Sequence, residues 1–292
     1  MRLNHWTALL FSSTRAPLTS SHQFLGIASP LCFAAFVPPQ NKQLQESNSK
    51  NFTTRTSRQK LLSKRASSSL QMVVTMDSPS AQRNKGPIWS IIESNVLPLI
   101  DSENQISALE IAAGCGVHTT FFVSKLAEKN MNVQWTSTDP DPESLQSLKQ
   151  RLCEFEKEES FSSDISIQDS FSLTLCENGI IEEEVIADKS LNLMLCINMI
   201  HISPWSATIG LFKLASQVLK SGGVLFAYGP YKQNGTAVES NMSFDRSLKG
   251  RNPDWGVRDL EEVINVAKNS GLSLSQTIEM PANNLSLIFI KD

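Results

Sequence analysis

Acidic residues are nearly absent from the first 76 positions, where Glu46 stands alone against nine Lys or Arg. A leader rich in Ser, Thr and Arg and poor in acids has the composition of a targeting peptide, not of a packed domain. Long apolar runs are missing too. Residues 24–37 are apolar, but the run is too short for a permanent span and Pro30 interrupts it; no stretch beyond the leader is long and apolar enough to cross a membrane. Cysteine is sparse. Cys32, Cys115, Cys153, Cys176 and Cys196 show neither paired nor metal-ligand spacing, so no structural zinc or other metal site is expected, and a reduced compartment is implied. Clustered Lys and Arg are lacking after the leader: residues 77–292 hold 17 basic and 28 acidic side chains, a balance of −11 that disfavours nucleic-acid phosphate as a partner. No internal repeat is visible.

What is there divides in two. Residues 1–76 read as a presequence, and 77–292 as one α/β domain, long enough to bury a sizeable core. Ala34-Ala35-Phe36-Val37-Pro38 resembles the signal-to-transit junction of two-part plastid presequences, and Leu70-Gln71-Met72 offers a second processing point. Plastid import is the expectation, with mitochondrial import as the alternative and a plain cytoplasmic extension as the bland reading. A fluorescent fusion of the leader that stays cytosolic would count against import. No membrane attachment is expected after processing, and the oligomeric state is not legible.

The domain is organised around the apolar run Ile106-Ser107-Ala108-Leu109-Glu110-Ile111, which stops in the small-residue turn Ala112-Ala113-Gly114-Cys115-Gly116 and continues at helical spacing from Thr119. Strand, glycine turn and helix start together offer unpaired N–H groups and a backbone that a ligand can approach closely. Upstream, residues 88–97 read as a helix preceded by an arm. Downstream, residues 132–138 read as strand 2 and 142–157 as a helix. Residues 165–169 make a weak strand 3, and 170–188 a solvated loop or helical insertion carrying Glu182-Glu183-Glu184. Residues 190–198 read as a buried strand 4, Ser203-Pro204 as the cap of a helix through Leu219, and 224–230 as strand 5. Residues 231–257 read as an ordered excursion over a pocket mouth, 257–270 as a helix, and 272–279 with 285–290 as a terminal hairpin. This alternation implies a seven-stranded, mostly parallel sheet covered on both faces, with the ligand at the C-terminal strand ends.

A Gly-x-Gly turn alone fits a dinucleotide or S-adenosylmethionine (SAM). The dinucleotide fingerprint places a third glycine where this chain has Thr119, which weakens that reading. The order Glu110-x-Ala112-x-Gly114-x-Gly116, with Asp139 ending strand 2 and Asp169 ending strand 3, resembles the SAM site of Rossmann-like methyltransferases. Asp139 can accept from two vicinal ribose hydroxyls, while Asp169 with Ser170 suits the adenine amino group; for both acids a cap or loop carboxylate is the competing reading.

Further segments carry a narrower likeness: Ala81-Gln82-Arg83-Asn84-Lys85-Gly86-Pro87-Ile88, Ile197-Asn198-Met199-Ile200-His201-Ile202-Ser203-Pro204-Trp205, Tyr228-Gly229-Pro230-Tyr231-Lys232, Glu239-Ser240-Asn241, Phe244-Asp245, Trp255-Gly256-Val257-Arg258-Asp259 and Glu279-Met280-Pro281-Ala282-Asn283-Asn284. In this order they resemble the methyltransferase-like 26 family, over roughly residues 77–292. Two departures are Gln82, where that family usually has Glu, and a longer stretch around 170–188. The resemblance implies a Rossmann-like SAM-dependent methyltransferase with no established substrate.

Within that frame His201, after strand 4, is a candidate proton acceptor from the methyl acceptor or else a structural histidine, and Asn198 a candidate orienting group for either substrate. His118 sits beside the glycine turn as a cofactor contact or local cap. Arg83, Asn84 and Lys85 suit a lid over the site. Tyr231, Lys232, Asn241, Asp245, Arg258 and Asn283 are substrate-rim candidates, each with a loop-fixing hydrogen bond as its plain alternative. Trp205 and Trp255 read as packing anchors in preference to cation-binding faces. A small molecule is the expected acceptor. A cofactor-binding protein without turnover and, less favoured, an NAD(P)-dependent enzyme are the other readings.

Overall fold

The computed structural model describes residues 76–100, 105–158, 164–180 and 186–292. The presequence readings at 24–37, 34–38 and 70–72 and the acidic run at 182–184 lie outside the described residues.

The first helix, α1 (Pro79–Ile91), begins nine residues earlier than the apolar periodicity suggests. Ser78 is its N-cap, with the hydroxyl accepting from the Ala81 N–H, and Pro79 occupies the first turn, where its missing N–H costs nothing. The helix runs on through a π turn (Ile92–Val96) and a 3-10 turn (Leu97–Leu99).

The next elements alternate: β1 (Ile106–Ile111), α2 (Val117–Glu128), β2 (Val133–Ser137), α3 (Pro142–Glu158) and the short β3 (Ile165–Ile167). A small hairpin, β4 (Leu175–Cys176) with β5 (Gly179–Ile180), then packs on α4 (Trp205–Val218), so the described part of this insertion, residues 170–180, holds a hairpin and no helix. Between hairpin and helix runs the fully buried β6 (Leu191–Ile197). Ser203 does not cap α4; its hydroxyl donates to the Met199 sulfur, and Pro204 holds the cap position. Strand β7 (Leu219–Gly229) follows α4 directly and bulges against β6 between Leu219 and Val224.

Beyond β7 the expected excursion contains regular structure. β8 (Tyr231–Lys232) pairs with β9 (Arg258–Asp259), and between them lies α5 (Glu239–Arg251). Asn241, Asp245 and Leu248 form its buried face at i, i+4 and i+7, a helical signal hidden in the sequence by flanking Gly, Asn and Pro. Then come α6 (Leu260–Asn269), capped by Asp259, and the hairpin β10 (Leu272–Met280) and β11 (Asn284–Lys291).

The main sheet has seven strands in the order β10-β11-β7-β6-β1-β2-β3. The four inner pairings from β7 to β3 are parallel, and β11 pairs antiparallel with both β7 and β10. Alternate residues of each strand face opposite layers. Leu109, Met194, Leu225 and Phe289 face α4 and α6, whereas Ala108, Leu195, Phe226 and Ile288 face Phe122 of α2 and Trp89 of α1. Each fully buried aromatic such as Phe122 contributes about 1.5–3 kcal/mol. Winding reverses between β1 and β6, which opens the crevice at their C-terminal ends, beside Ala112 and Asn198. Among the described residues no helix is long and apolar enough to cross a membrane.

Candidate functional site

The turn after β1 alternates into left-handed backbone at Ala112 (φ 54°), Gly114 (φ 60°) and Gly116 (φ 78°). Such alternation curls successive amides into a concave nest. A Cβ at Gly114 would meet nothing within 4 Å, so open space lies above the turn. A Cβ at Gly116 would come within 2.7 Å of Leu148 on α3, so here the missing side chain permits packing.

Asp139, 6% exposed at the end of β2, reaches across to this turn. Its Oδ2 accepts from the Gly114 N–H at 2.7 Å and its Oδ1 from the Asp141 N–H at 2.9 Å. Burial pushes this carboxyl up to about 6, against the pull of those two bonds. Phe171 bridges to Thr138 and takes the Asp139 N–H, extending β3 so that Ser170 is drawn alongside. The Ser170 hydroxyl is buried and has no partner among the described residues. Asp169 is exposed and lines a separate 510 Å³ cavity with Gln134, Thr136 and Leu191. The expected Asp169–Ser170 pair is therefore split, with one residue outside and one inside.

Glu110 is corrected from cofactor contact to foundation. Its carboxyl is 1% exposed beneath the turn and accepts from Thr119 Oγ1 at 2.6 Å and from Ser137 Oγ at 3.4 Å. Burial pushes it up to about 7. Thr119 thus has a reason to replace a glycine: it supplies the donor that a buried carboxyl requires.

His118 also turns inward. Its ring stacks on Phe122 at 5.5 Å, and Nε2 lies 2.7 Å from Asn84 Oδ1; an amide oxygen only accepts, so Nε2 carries the proton. Burial first, and the Lys85 charge second, push its pKa down to about 4. Asn84 additionally hydrogen-bonds the Tyr228 hydroxyl, which accepts from Asn284 Nδ2 at 3.0 Å. A polar chain His118–Asn84–Tyr228–Asn284 therefore joins α2, α1, β7 and β11 across the strand ends. Arg83 is exposed, and Lys85 bonds Gln82 at 2.7 Å and lies over the Phe121 ring. The three expected lid residues sit inside α1, and only Asn84 faces inward.

On the other side, Asn198 ends β6 in a left-handed turn (φ 60°), its N–H bonded to Tyr228 O at 2.8 Å. The His201 ring packs edge-on to Phe244 of α5 at 5.5 Å and against Gly229, whose Cβ, if present, would lie 3.1 Å from Nδ1. Burial, then the Arg258 and Arg251 charges, push His201 down to about 3, so it is neutral at physiological pH.

The family described as Protein of unknown function (DUF938) matches residues 75–291. The chain belongs to this family. Among solved structures, this DUF938 chain is similar to an O-methyltransferase family 2 protein from Planctomyces limnophilus in complex with apigenin (15% identity, TM-score 0.54, 73% of this chain and 61% of that one). It is also similar to an O-methyltransferase family protein from Burkholderia thailandensis (10%, TM-score 0.53, 73% and 57%). The DUF938 chain spans about three fifths of the length of these relatives. At such identities the likeness shows the fold alone, which is the Rossmann-like class I methyltransferase fold.

Most rim candidates of the DUF938 chain hold its own loops. Asp245 accepts from Lys232 at 3.1 Å, Lys249 at 2.8 Å and the Val257 N–H at 2.8 Å, and the lysine bonds help keep its carboxyl below the usual range despite the opposing effect of burial, the largest single influence. Arg258 donates to the carbonyls of Ile200, Ser203 and Asp254 and lies over the Trp205 ring at 5.7 Å, so Trp205 does carry a cation. Asn241 donates to Asn283 O at 2.8 Å. Tyr231 is buried, with its hydroxyl unpartnered among the described residues and Cys196 nearby. Sequence reasoning missed Tyr228, Asn284 and Phe244. Strand alternation was the available signal for Tyr228. It also missed Arg151, which clamps Cys115 O at 2.6 Å and Met76 O at 2.7 Å and so fastens the approach to α1 onto the glycine turn.

Proposed function

We propose that this DUF938 chain is a SAM-dependent methyltransferase of the methyltransferase-like 26 kind, acting on a small-molecule acceptor. The observation that carries the reading is the Asp139 carboxyl fastened to the Gly114 N–H beneath open space. A dinucleotide pyrophosphate needs free turn amides. Here the Gly114 N–H is committed to Asp139 and the Gly116 N–H to Ala113 O, and a carboxylate beside the turn repels phosphate. A ribose diol, by contrast, donates to the lone pairs Asp139 keeps. The orphaned Ser170 hydroxyl suits the adenine edge. When bound, SAM supplies a methyl group activated on a sulfonium.

His201 fits an acceptor of a hydrogen bond from the incoming nucleophile rather than a base that retains a proton, since its imidazolium is strongly disfavoured. Positioning then supplies most of the rate. The same burial favours a second reading, in which SAM is held without turnover.

Calorimetric titration is expected to show one SAM site and no heat with NAD. The carboxylate is the ribose-binding form, so affinity should be flat above about pH 7 and fall about tenfold per pH unit well below 6. Absence of SAM heat sinks the proposal. With isotopically labelled SAM and a metabolite extract, His201→Ala should retain binding and lower turnover, while binding with no labelled product from the unaltered protein establishes the second reading.

A further inference from the structure

Resting on the methyltransferase reading, we infer that the methyl acceptor enters a cavity of about 240 Å³ between β8, α5 and the β10–β11 turn, and that this cavity takes a small uncharged or cationic hydrogen-bond donor and rejects anions.

Two contacts place the cavity beside the reaction centre. Asn241 lines it, and Phe244, three residues on along α5, packs against His201 at 5.5 Å. Asn284 also lines it and donates to Tyr228, the link to Asn84 and His118. The cavity therefore lies one side chain from each half of the site.

Its charge is one-sided. Asn241 and Asn283 each spend one amide N–H, on Asn283 O and Ser240 Oγ, and their side-chain oxygens are left to accept. Among the described residues that line it Glu279 alone is charged, and it adds a further acceptor. Gln233 and Thr236 add neutral polar groups at the exposed rim, so the selectivity comes from charge: a wall whose charge is negative favours hydroxyl, amide or ammonium donors over a carboxylate or phosphate. Lys232 does not change this. Along β8 its side chain points opposite to the lining residues Tyr231 and Gln233, and its Nζ is paired with Asp245. Val238, Met280 and Leu285 supply an apolar wall. The volume falls below the roughly 300–1,000 Å³ of drug-sized sites, which limits the occupant to a single ring or short chain. The rim is also strained: Ala282 (φ 60°) and Asn283 (φ 57°) are consecutive left-handed residues, a conformation that clusters at ligand clamps.

The test uses three probes of matched size on the full chain, with saturation-transfer NMR: tyramine (cation), 4-hydroxybenzamide (neutral) and 4-hydroxybenzoate (anion). Tyramine and 4-hydroxybenzamide are expected to bind at least about tenfold more tightly than 4-hydroxybenzoate. Ala237→Phe, which puts a ring in place of a small residue of the cavity lining, should abolish both while SAM affinity stays unchanged. Glu279→Gln, at an exposed position, should narrow the cation–anion gap about threefold. Equal binding of the anion, no binding by any probe, or probe binding that survives Ala237→Phe overturns the inference. Failure to bind SAM sinks the methyltransferase reading instead and leaves the probe result standing.

Discussion

A Gly114→Leu protein is expected to fold and to lose SAM binding by at least about a hundredfold, roughly 2.7 kcal/mol. The two consequences separate because of where the side chain goes. Left-handed backbone costs a non-glycine residue about 1–2 kcal/mol, which a domain of this size can lose. The added Cβ meets no protein within 4 Å, so the side chain starts out into the space above the turn that the cofactor needs. Gly116→Ala supplies the contrast. Its Cβ would lie 2.7 Å from the fully buried Leu148, so this change loosens α3 and costs stability by about 1–3 kcal/mol. Thermal melts and SAM titrations on both variants check the pair; full SAM affinity in Gly114→Leu would remove the turn from the cofactor site.

The second large effect belongs to Asp139→Asn. The carboxylate accepts N–H bonds on both oxygens, from Gly114 and from Asp141. An amide has one oxygen, so its NH2 must confront one of those two N–H groups whichever way it turns. Two charge-assisted bonds are thereby weakened or lost, at about 1.5–3 kcal/mol each, and the ribose loses an anionic acceptor. SAM affinity is expected to fall by at least about a hundredfold, with pH dependence near 6 abolished. Near-native SAM affinity in Asp139→Asn would show that this side chain grips no ribose.

Much of the architecture was legible in the chain. β1, its glycine turn and α2 were readable because an apolar run, two glycines and a 3.6-residue period coincide there. The β10–β11 hairpin was readable from alternation on either side of Pro281. α5 was not, because two of the three residues on its buried face are polar, Asn241 and Asp245, and those residues signal burial only once Asn283 and Lys232 stand opposite them. The start of α1 was missed for a similar reason: Ser78 and Pro79 are strong end signals, but no apolar stripe marks residues 79–87.

The site divides along the same line. The sequence by itself determined that an acid ends β2, that small residues bend the chain after β1, and that Thr119 replaces a third glycine, because each of these follows from local spacing. Only the tertiary structure decided that Glu110 lies under the turn, that Lys232, Asp245 and Arg258 bind their own loops, and that Tyr228 rather than Tyr231 joins Asn84. Whether a polar side chain serves a ligand or the protein depends on which partners lie within about 3 Å of it. Residues far apart in sequence, such as Asn84, His118, Tyr228 and Asn284, meet at that distance only after the sheet has brought its strand ends together.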